Sequence, residues 1–186
     1  MFFTDKCQVY KTRAATFADT KASVLGDFVA SKLEMDEGET AIYMAVIKEY
    51  KGNMLFFYEN GKVAKIDISA YETKTNRKKL INAYSTASPL VAMFYITEEK
   101  EFVCYASNNR VLIISTASVS PKTTKSTAGV NVITLKKGKT FLAKVAPFEE
   151  GIFGEPSHYR TKNIPAAGSF LRKEDMEQEQ LSLFED

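Results

Sequence analysis

The sequence predicts an all-β, propeller-like fold of about three to four blades of roughly 50 residues each, followed by a short acidic tail. Three observations lead there. One alternating pattern recurs at shifts of 54 and then 48 residues, so that Phe3, Val9 and Phe17 fall over Phe57, Val63 and Tyr71, and Val63 and Tyr71 over Val111 and Val119. Each recurrence carries a turn signal between two strand-like runs. Before residue 170 almost no segment has helical periodicity.

Each unit opens with an apolar run, "MFFT", "LFFY" and "FVCYA", followed by a turn, "DKC", "ENG" and "SNN". An alternating strand comes next, "QVYKTR", "KVAKIDI" and "RVLIIS". Asn60-Gly61 is the strongest of the turns, since a two-residue hairpin loop needs positive φ at both positions and Asn-Gly tolerates it best. A polar, basic connection follows each hairpin: "ADTKASVLGDF", "ETKTNRKKLINAY" and "PKTTKSTAGVNV". Units one and three then show a short strand and turn with Gly38 and Gly138 at matching places, and Pro89 is expected to set the turn of unit two. The expected boundaries are repeats at 1–50, 51–98 and 99–145, a partial repeat at 146–171, and a tail at 172–186. Phe17, Tyr71 and Val119 alternate with polar neighbours and are expected in the core between blades rather than as base-stacking platforms.

With 186 residues, 45% hydrophobic, the chain can bury one substantial core. No stretch approaches the roughly 20 apolar residues of a membrane helix, and the start lacks a basic then apolar leader. A cytoplasmic protein with no membrane partner is the expectation. Cys7 and Cys104 lie far apart inside apolar runs, so buried, reduced thiols are expected rather than a disulfide or metal knuckle. The single histidine, His158, has no nucleophile arrangement beside it and one histidine cannot build a multi-histidine metal site. The nine glycines sit singly, so no phosphate loop is present. No catalytic residue, metal or cofactor is expected.

The net charge of +2 conceals an asymmetry. Residues 1–146 carry 21 Lys and Arg against 14 Asp and Glu, and residues 147–186 carry 4 against 9, giving +7 and −5. A basic body with an acidic tail points to a polyanionic partner. Lys21, then Lys74, Arg77, Lys78 and Lys79, then Lys122 and Lys125 recur in the connection after each hairpin. A blade array would align them along one rim, where spaced cations suit a curved duplex backbone and read no sequence.

The order "FFT…K.Q.Y…F", a basic loop, "DEGE", then "LFFYENGKVAKI…Y" resembles the C-terminal domain of the A subunit of bacterial type IIA topoisomerases, DNA gyrase and topoisomerase IV. The resemblance covers roughly residues 1–145 and rests on three aligned units rather than on one motif. It implies a β-pinwheel, whose basic rim binds and bends or wraps duplex DNA without sequence preference and guides it to the strand-passage core. It further implies a bacterial, nucleoid-associated location and, as partners, the remainder of the A subunit and its ATPase B subunit. The family's DNA-cleaving tyrosine belongs to another domain, so the chain alone is not expected to be an enzyme. The family usually has five or six blades, whereas three are visible here with residues 157–171 as a partial fourth. The Gln-, Arg- and Gly-rich heptapeptide of gyrase first blades does not occur in this sequence, which leaves both a gyrase and a topoisomerase IV parent open.

The tail "RKEDMEQEQLSLFED" has too little apolar content to fold alone. Within it Gln180, Leu181, Ser182, Leu183 and Phe184 are similar to the pentapeptide by which many bacterial replication and repair proteins bind the sliding clamp. That likeness implies Gln180, Leu181, Leu183 and Phe184 as partner-binding residues, and a protein-interaction propeller as the alternative function. A tail whose carboxylates occupy the basic rim until DNA displaces them is a further expectation.

Overall fold

The computed structural model describes residues 1–74 and 77–176. Unit one opens with the hairpin of β1 (Phe2–Thr4) and β2 (Val9–Tyr10), passes through the short helix α1 (Val29–Lys32), and ends in β3 (Ala41–Met44). Unit two supplies the hairpin β4 (Asn53–Tyr58) and β5 (Lys62–Asp67), then β6 (Lys79–Leu80) and β7 (Leu90–Ile96). Unit three repeats this with β8 (Glu101–Ala106), β9 (Arg110–Ser115), β10 (Val130–Asn131) and β11 (Leu142–Pro147), and β12 (Ser169–Phe170) comes last. The residues at the three turn positions, Cys7, Gly61 and Asn109, all have positive φ, at 56°, 78° and 60°. They are spaced by the same 54 and 48 residues as the rest of the repeat.

The strands assemble into three four-stranded sheets ordered β3-β1-β2-β6, β10-β5-β4-β7 and β11-β8-β9-β12. Every sheet therefore combines one hairpin, the strand that ends the same unit, and a short strand given by the segment that follows it. The given strands dock on the hairpin tips in one way. Ala83 N–H donates to Cys7 O at 2.8 Å, Val132 N–H to Gly61 O at 3.0 Å, and Leu171 N–H to Asn109 O at 2.9 Å. The positive φ thus turns the same carbonyl outward in each unit to accept the incoming strand. Residues 160–171 run along β9 and complete the third sheet.

Strand alternation decides which side chains meet. In β4, Met54 and Phe56 pack towards the first sheet with Phe3 and Val9, while Leu55 and Phe57 pack towards the third with Phe102 and Cys104. The sheets are stacked face to face in chain order. Each fully buried large apolar side chain stabilises this stack by about 1.5–3 kcal/mol. Phe3, Phe56 and Tyr71 form one ring cluster, with centroids 5.4–5.8 Å apart, and Phe57, Phe94 and Phe102 form the other at 4.7–6.0 Å. Tyr71 and Val119 are core residues, as the pattern predicts, while Phe17 is half-buried against Phe2.

The outer face of the third sheet, made by Val103, Val111 and Ile113, is covered by Phe153 and Tyr159 with Ile152 and Leu171. Buried Asp175 fixes this cover, accepting from the Tyr159 hydroxyl at 2.5 Å and from Gly154 N–H at 2.9 Å. The start of the acidic tail is therefore anchored to the third sheet.

An ion pair links the second sheet to the segment that leads into the third. Lys65 of β5, only 3% exposed, reaches Glu99 at 2.6 Å and donates to Thr116 O at 3.1 Å, and the Thr116 hydroxyl donates to the same carboxylate at 2.5 Å. The Lys65 ammonium, and then the Thr116 hydroxyl, hold the Glu99 carboxyl below its usual pKa. A carboxyl lowered in the folded state stabilises above its unfolded pKa, about 4.3, and loses that contribution as pH falls through the lower folded value. Glu99→Gln is expected to cost about 1–2 kcal/mol at neutral pH, discounted for the half-exposed carboxylate, and to flatten the fall in Tm on acidification below about pH 4. Thermal melts across pH 2.5–7 check both.

The thiols differ. Cys104 is buried in the core and desolvation pushes its pKa up to about 12, whereas Cys7 is half-buried. A thiol reagent is expected to leave Cys104 unmodified in the native protein and to reach it on unfolding, a contrast that mass spectrometry of the labelled chain reads directly.

Candidate nucleic-acid interface

Apart from Lys21, the predicted cations fall on the connections that carry strands from one sheet to the preceding one. Lys78 O accepts from Lys11 N–H at 2.6 Å at the end of β2. Lys122 is bonded between Lys65 and Asp67 at the end of β5, with Lys122 N–H donating to Lys65 O at 2.8 Å and Asp67 N–H to Lys122 O at 2.9 Å. Arg160 bridges Ile113 of β9. The repeat shifts place Lys11, Lys65 and Ile113 at one register, and each is met by the connection beside it: Lys11 by Lys78 O, Lys65 by Lys122 N–H, with Lys122 paired to Ile66 one residue on, and Ile113 by Arg160. Lys74, Arg77, Lys78 and Lys122 are exposed and Lys125 is half-exposed.

Lys74, Arg77, Lys78 and Lys79 lie on the connection that joins the first sheet, and Lys122 and Lys125 on the connection that joins the second. Lys11 is bonded to the first of these connections. Its ammonium donates to Tyr71 O at 2.9 Å and to the Thr73 hydroxyl at 2.8 Å, and lies over the Tyr50 ring at 5.9 Å. Burial lowers the Lys11 pKa, Glu72 opposes that shift, and the charge of Lys125 adds to it, which puts Lys125 within electrostatic reach across the junction of the two sheets. Lys11, Lys32 and Lys78 further line one small cleft of about 100 Å3. Lys21 is exposed but stands apart, on a connection that joins no sheet.

Lys79 is placed differently from its neighbours. Its ammonium binds the Asp36 carboxylate at 2.6 Å and sits over the Tyr10 ring at 5.7 Å. The Asp36 bond raises the Lys79 pKa, and Lys79, then Gln8, lower that of Asp36. This charge already has a partner from the "DEGE" turn of unit one. Arg160 is also paired, its guanidinium meeting Glu101 at 2.9–3.1 Å and stacking on Phe148 at 4.9 Å.

Two cations escape the sequence reading. Lys11 lies within "QVYKTR" and reads as the exposed face of a strand, and Arg160 follows the third hairpin by almost 50 residues. Only the register of the given strands reveals them. The tail residues Gln180, Leu181, Leu183 and Phe184 lie outside the described residues. His158 belongs to the 3-10 turn Pro156–His158, where its carbonyl accepts from the Ser169 hydroxyl at 2.8 Å. Among the described residues no three His, Cys, Asp or Glu side chains converge as a metal cluster, and no helix is long and apolar enough to cross a membrane.

The chain is similar to three solved structures. It resembles the C-terminal domain of DNA topoisomerase IV at 22% identity and a TM-score of 0.65, over 80% of this chain and 46% of that one. It resembles the DNA gyrase A C-terminal domain at 14% identity and a TM-score of 0.57, over 90% and 58%. It resembles the E. coli ParC C-terminal domain at 15% identity and a TM-score of 0.64, over 92% and 76%. The chain thus spans about half the length of the first two. No protein-family model and no curated protein matches the sequence. The fold is the β-pinwheel of these domains, as the sequence predicts.

Proposed function

We propose that the chain binds duplex DNA through its phosphate backbone and bends or wraps it, as the C-terminal domain of a type IIA topoisomerase A subunit. The observation that carries this reading is the recurrence of exposed Lys78 and Lys122 on the connections that join successive stacked sheets, bonded through their backbones at the equivalent Lys11 and Lys65 positions. Cations at a repeated position on a stack form a track, and a track of positive charge neutralises consecutive phosphates along one side of a duplex. Bending some tens of base pairs costs on the order of several kcal/mol, and contacts distributed along the curve offset it. Lys74 and Arg77 extend the track and Lys21 adds a separate contact from unit one, whereas Lys79 contributes its ion pair to Asp36 instead.

In this reading the remainder of the A subunit and the ATPase B subunit supply the strand passage, the chain itself performs no catalysis, and the protein works on the nucleoid in the cytoplasm. The test is a linking-number assay: the chain is bound to nicked circular DNA, the nicks are sealed, and topoisomers are resolved. A handed shift is expected from wrapping, and retained binding without a shift means bending alone. Absence of duplex binding overturns the proposal.

The pentapeptide Gln180 to Phe184 favours a second, compatible role, capture of a sliding clamp by the tail. Deleting residues 180–186 is expected to abolish clamp binding while the β-pinwheel remains folded. Unchanged clamp binding contradicts that role, and tighter DNA binding by the deleted chain assigns the tail to competition with DNA.

A further inference from the structure

The turn that leads into β11 inverts the charge of its counterpart in unit one. Around Gly38 that counterpart carries Asp36, Glu37 and Glu39, and around Gly138 the turn carries Lys136, Lys137 and Lys139. The acidic turn is used within the fold: Asp36 holds Lys79, and buried Glu39 accepts from the Thr4 and Tyr10 hydroxyls. The three lysines are exposed, and none joins an ion pair among the described residues. Their turn is fixed by its own bonds, with Lys139 N–H and Thr140 N–H donating to Lys136 O at 2.9 and 3.0 Å and Lys136 N–H to the Thr140 hydroxyl at 2.7 Å. Like charges gathered at one tight turn repel each other, and an anionic partner relieves that repulsion.

Beside the lysines is an apolar seat. Lys137, Lys139 and Thr140 line a groove of about 520 Å3 with half-buried Leu135 and with Phe141, which is 49% exposed. The tip of the second hairpin, at Glu59 and Asn60, forms its other wall. Lys144 of β11, paired with Tyr105 of β8 and standing over its ring at 5.1 Å, carries positive charge from the turn on to the outer face of the third sheet. The cationic track lies elsewhere, since Lys122 is bonded at Lys65 and Asp67, the opposite end of β5 from that hairpin tip.

The chain itself supplies a partner of matching chemistry. Asp175 is anchored on that same outer face through Tyr159 and Gly154, and beyond Met176 the sequence continues as "EQEQLSLFED". There the carboxylates of Glu177, Glu179, Glu185 and Asp186 bracket Leu181, Leu183 and Phe184, as the lysines flank Leu135 and Phe141. Leu171 N–H donates to Asn109 O and Phe141 N–H to the Ser107 hydroxyl, so the start of the tail and the groove frame one hairpin tip. The third sheet is three inter-strand spacings wide, about 14 Å, and ten extended residues reach roughly 33 Å. We propose that residues 177–186 dock on their own chain here, with Leu181, Leu183 and Phe184 against Leu135 and Phe141 and the carboxylates on Lys136, Lys137 and Lys139. Exposed ion pairs are individually weak, but the tether holds the tail at a high effective concentration, so weak contacts suffice. Docked, the tail is withheld from any other apolar pocket and stands clear of the track. The inference is therefore independent of DNA binding, and either can fail alone.

The test places the photo-crosslinker p-benzoylphenylalanine at position 184 of the whole protein and maps the product by mass spectrometry. The expected link is intramolecular and falls within residues 135–141. A link to any other part of the chain, such as residues 74–79 or 122–125 of the track, a link between two copies, or no link overturns the proposal. Amide hydrogen exchange is the second measurement, on the unsubstituted protein and on the variant carrying Lys136→Glu, Lys137→Glu and Lys139→Glu together. The three positions are exposed, so the variant is expected to melt at the same temperature. The amides of Leu181, Leu183 and Phe184 are expected to exchange about tenfold faster in it. Equal exchange in both proteins contradicts docking.

Discussion

Replacing Lys74, Lys78 and Lys122 together with alanine is expected to weaken duplex binding about a hundredfold at roughly 0.15 M salt. Each phosphate contact lowers the slope of log K against log salt by about 0.9, which amounts to about 0.7 log units of affinity per contact at that salt relative to 1 M. Three contacts give about two log units. The three residues are exposed, and Lys78 and Lys122 bond to the sheets through their backbones, not their side chains. The fold is therefore expected to keep its stability within about 0.5 kcal/mol. Lys79→Ala is the contrasting variant. It removes a charge already bound to Asp36, and is expected to change DNA affinity little. Titration of one labelled duplex with each variant, beside a thermal melt, separates the outcomes. Loss of affinity in Lys79→Ala equal to that of Lys78→Ala contradicts the assignment of free and paired cations.

Gly129→Ala is expected to be the most damaging small substitution in the connections, at about 3 kcal/mol or more. Gly129 has φ +78°, and a Cβ there meets Val63 O at 2.4 Å and Val63 C at 2.5 Å, both backbone atoms of β5 that cannot move aside. Left-handed backbone strain of about 1–2 kcal/mol adds to the clash. The residue stands immediately before β10, and Gly168, with φ +72° and Val111 O at 2.7 Å, stands immediately before β12 at the equivalent register. Both glycines let the given strand approach the hairpin closely. At this chain length the loss corresponds to a Tm lower by roughly 6–12 °C. Gly138→Ala is the control. Its φ is +70° but nothing lies within 4 Å of an added Cβ, so only the backbone strain of about 1–2 kcal/mol remains, and a smaller fall in Tm is expected. Equal melting temperatures for the two variants contradict the close approach.

The stacked architecture was legible because strand alternation and repeat period are local patterns. Phe56 and Phe57 illustrate it: adjacent in sequence, they enter different inter-sheet cores, as period-two alternation demands. The given strands were not legible. β6 and β10 have two residues each, too few to show any periodicity, and which sheet accepts them depends on contacts between units. The left-handed turn at Cys7 was hidden for a related reason, since cysteine has no preference for that conformation and only its alignment with Gly61 reveals the need. At the candidate interface, recurrence located the cationic connections, but the pairing of Lys79 with Asp36 spans 43 residues and is a tertiary fact. Lys11 was passed over because a lysine in an alternating strand reads as a solvated position, whereas packing places it over Tyr50 beside Thr73.

The proposed track consists of cations that have no ion pair among the described residues, and the salt dependence of duplex binding tests it most directly. Six residues are the proposed phosphate contacts: Lys74, Arg77, Lys78, Lys122 and Lys125 in the track, and Lys21 apart from it. If all six neutralise phosphates, log K against log salt has a slope of about −5, the same for duplexes of unrelated sequence. A slope near zero, or a slope that differs between sequences of equal length, contradicts it.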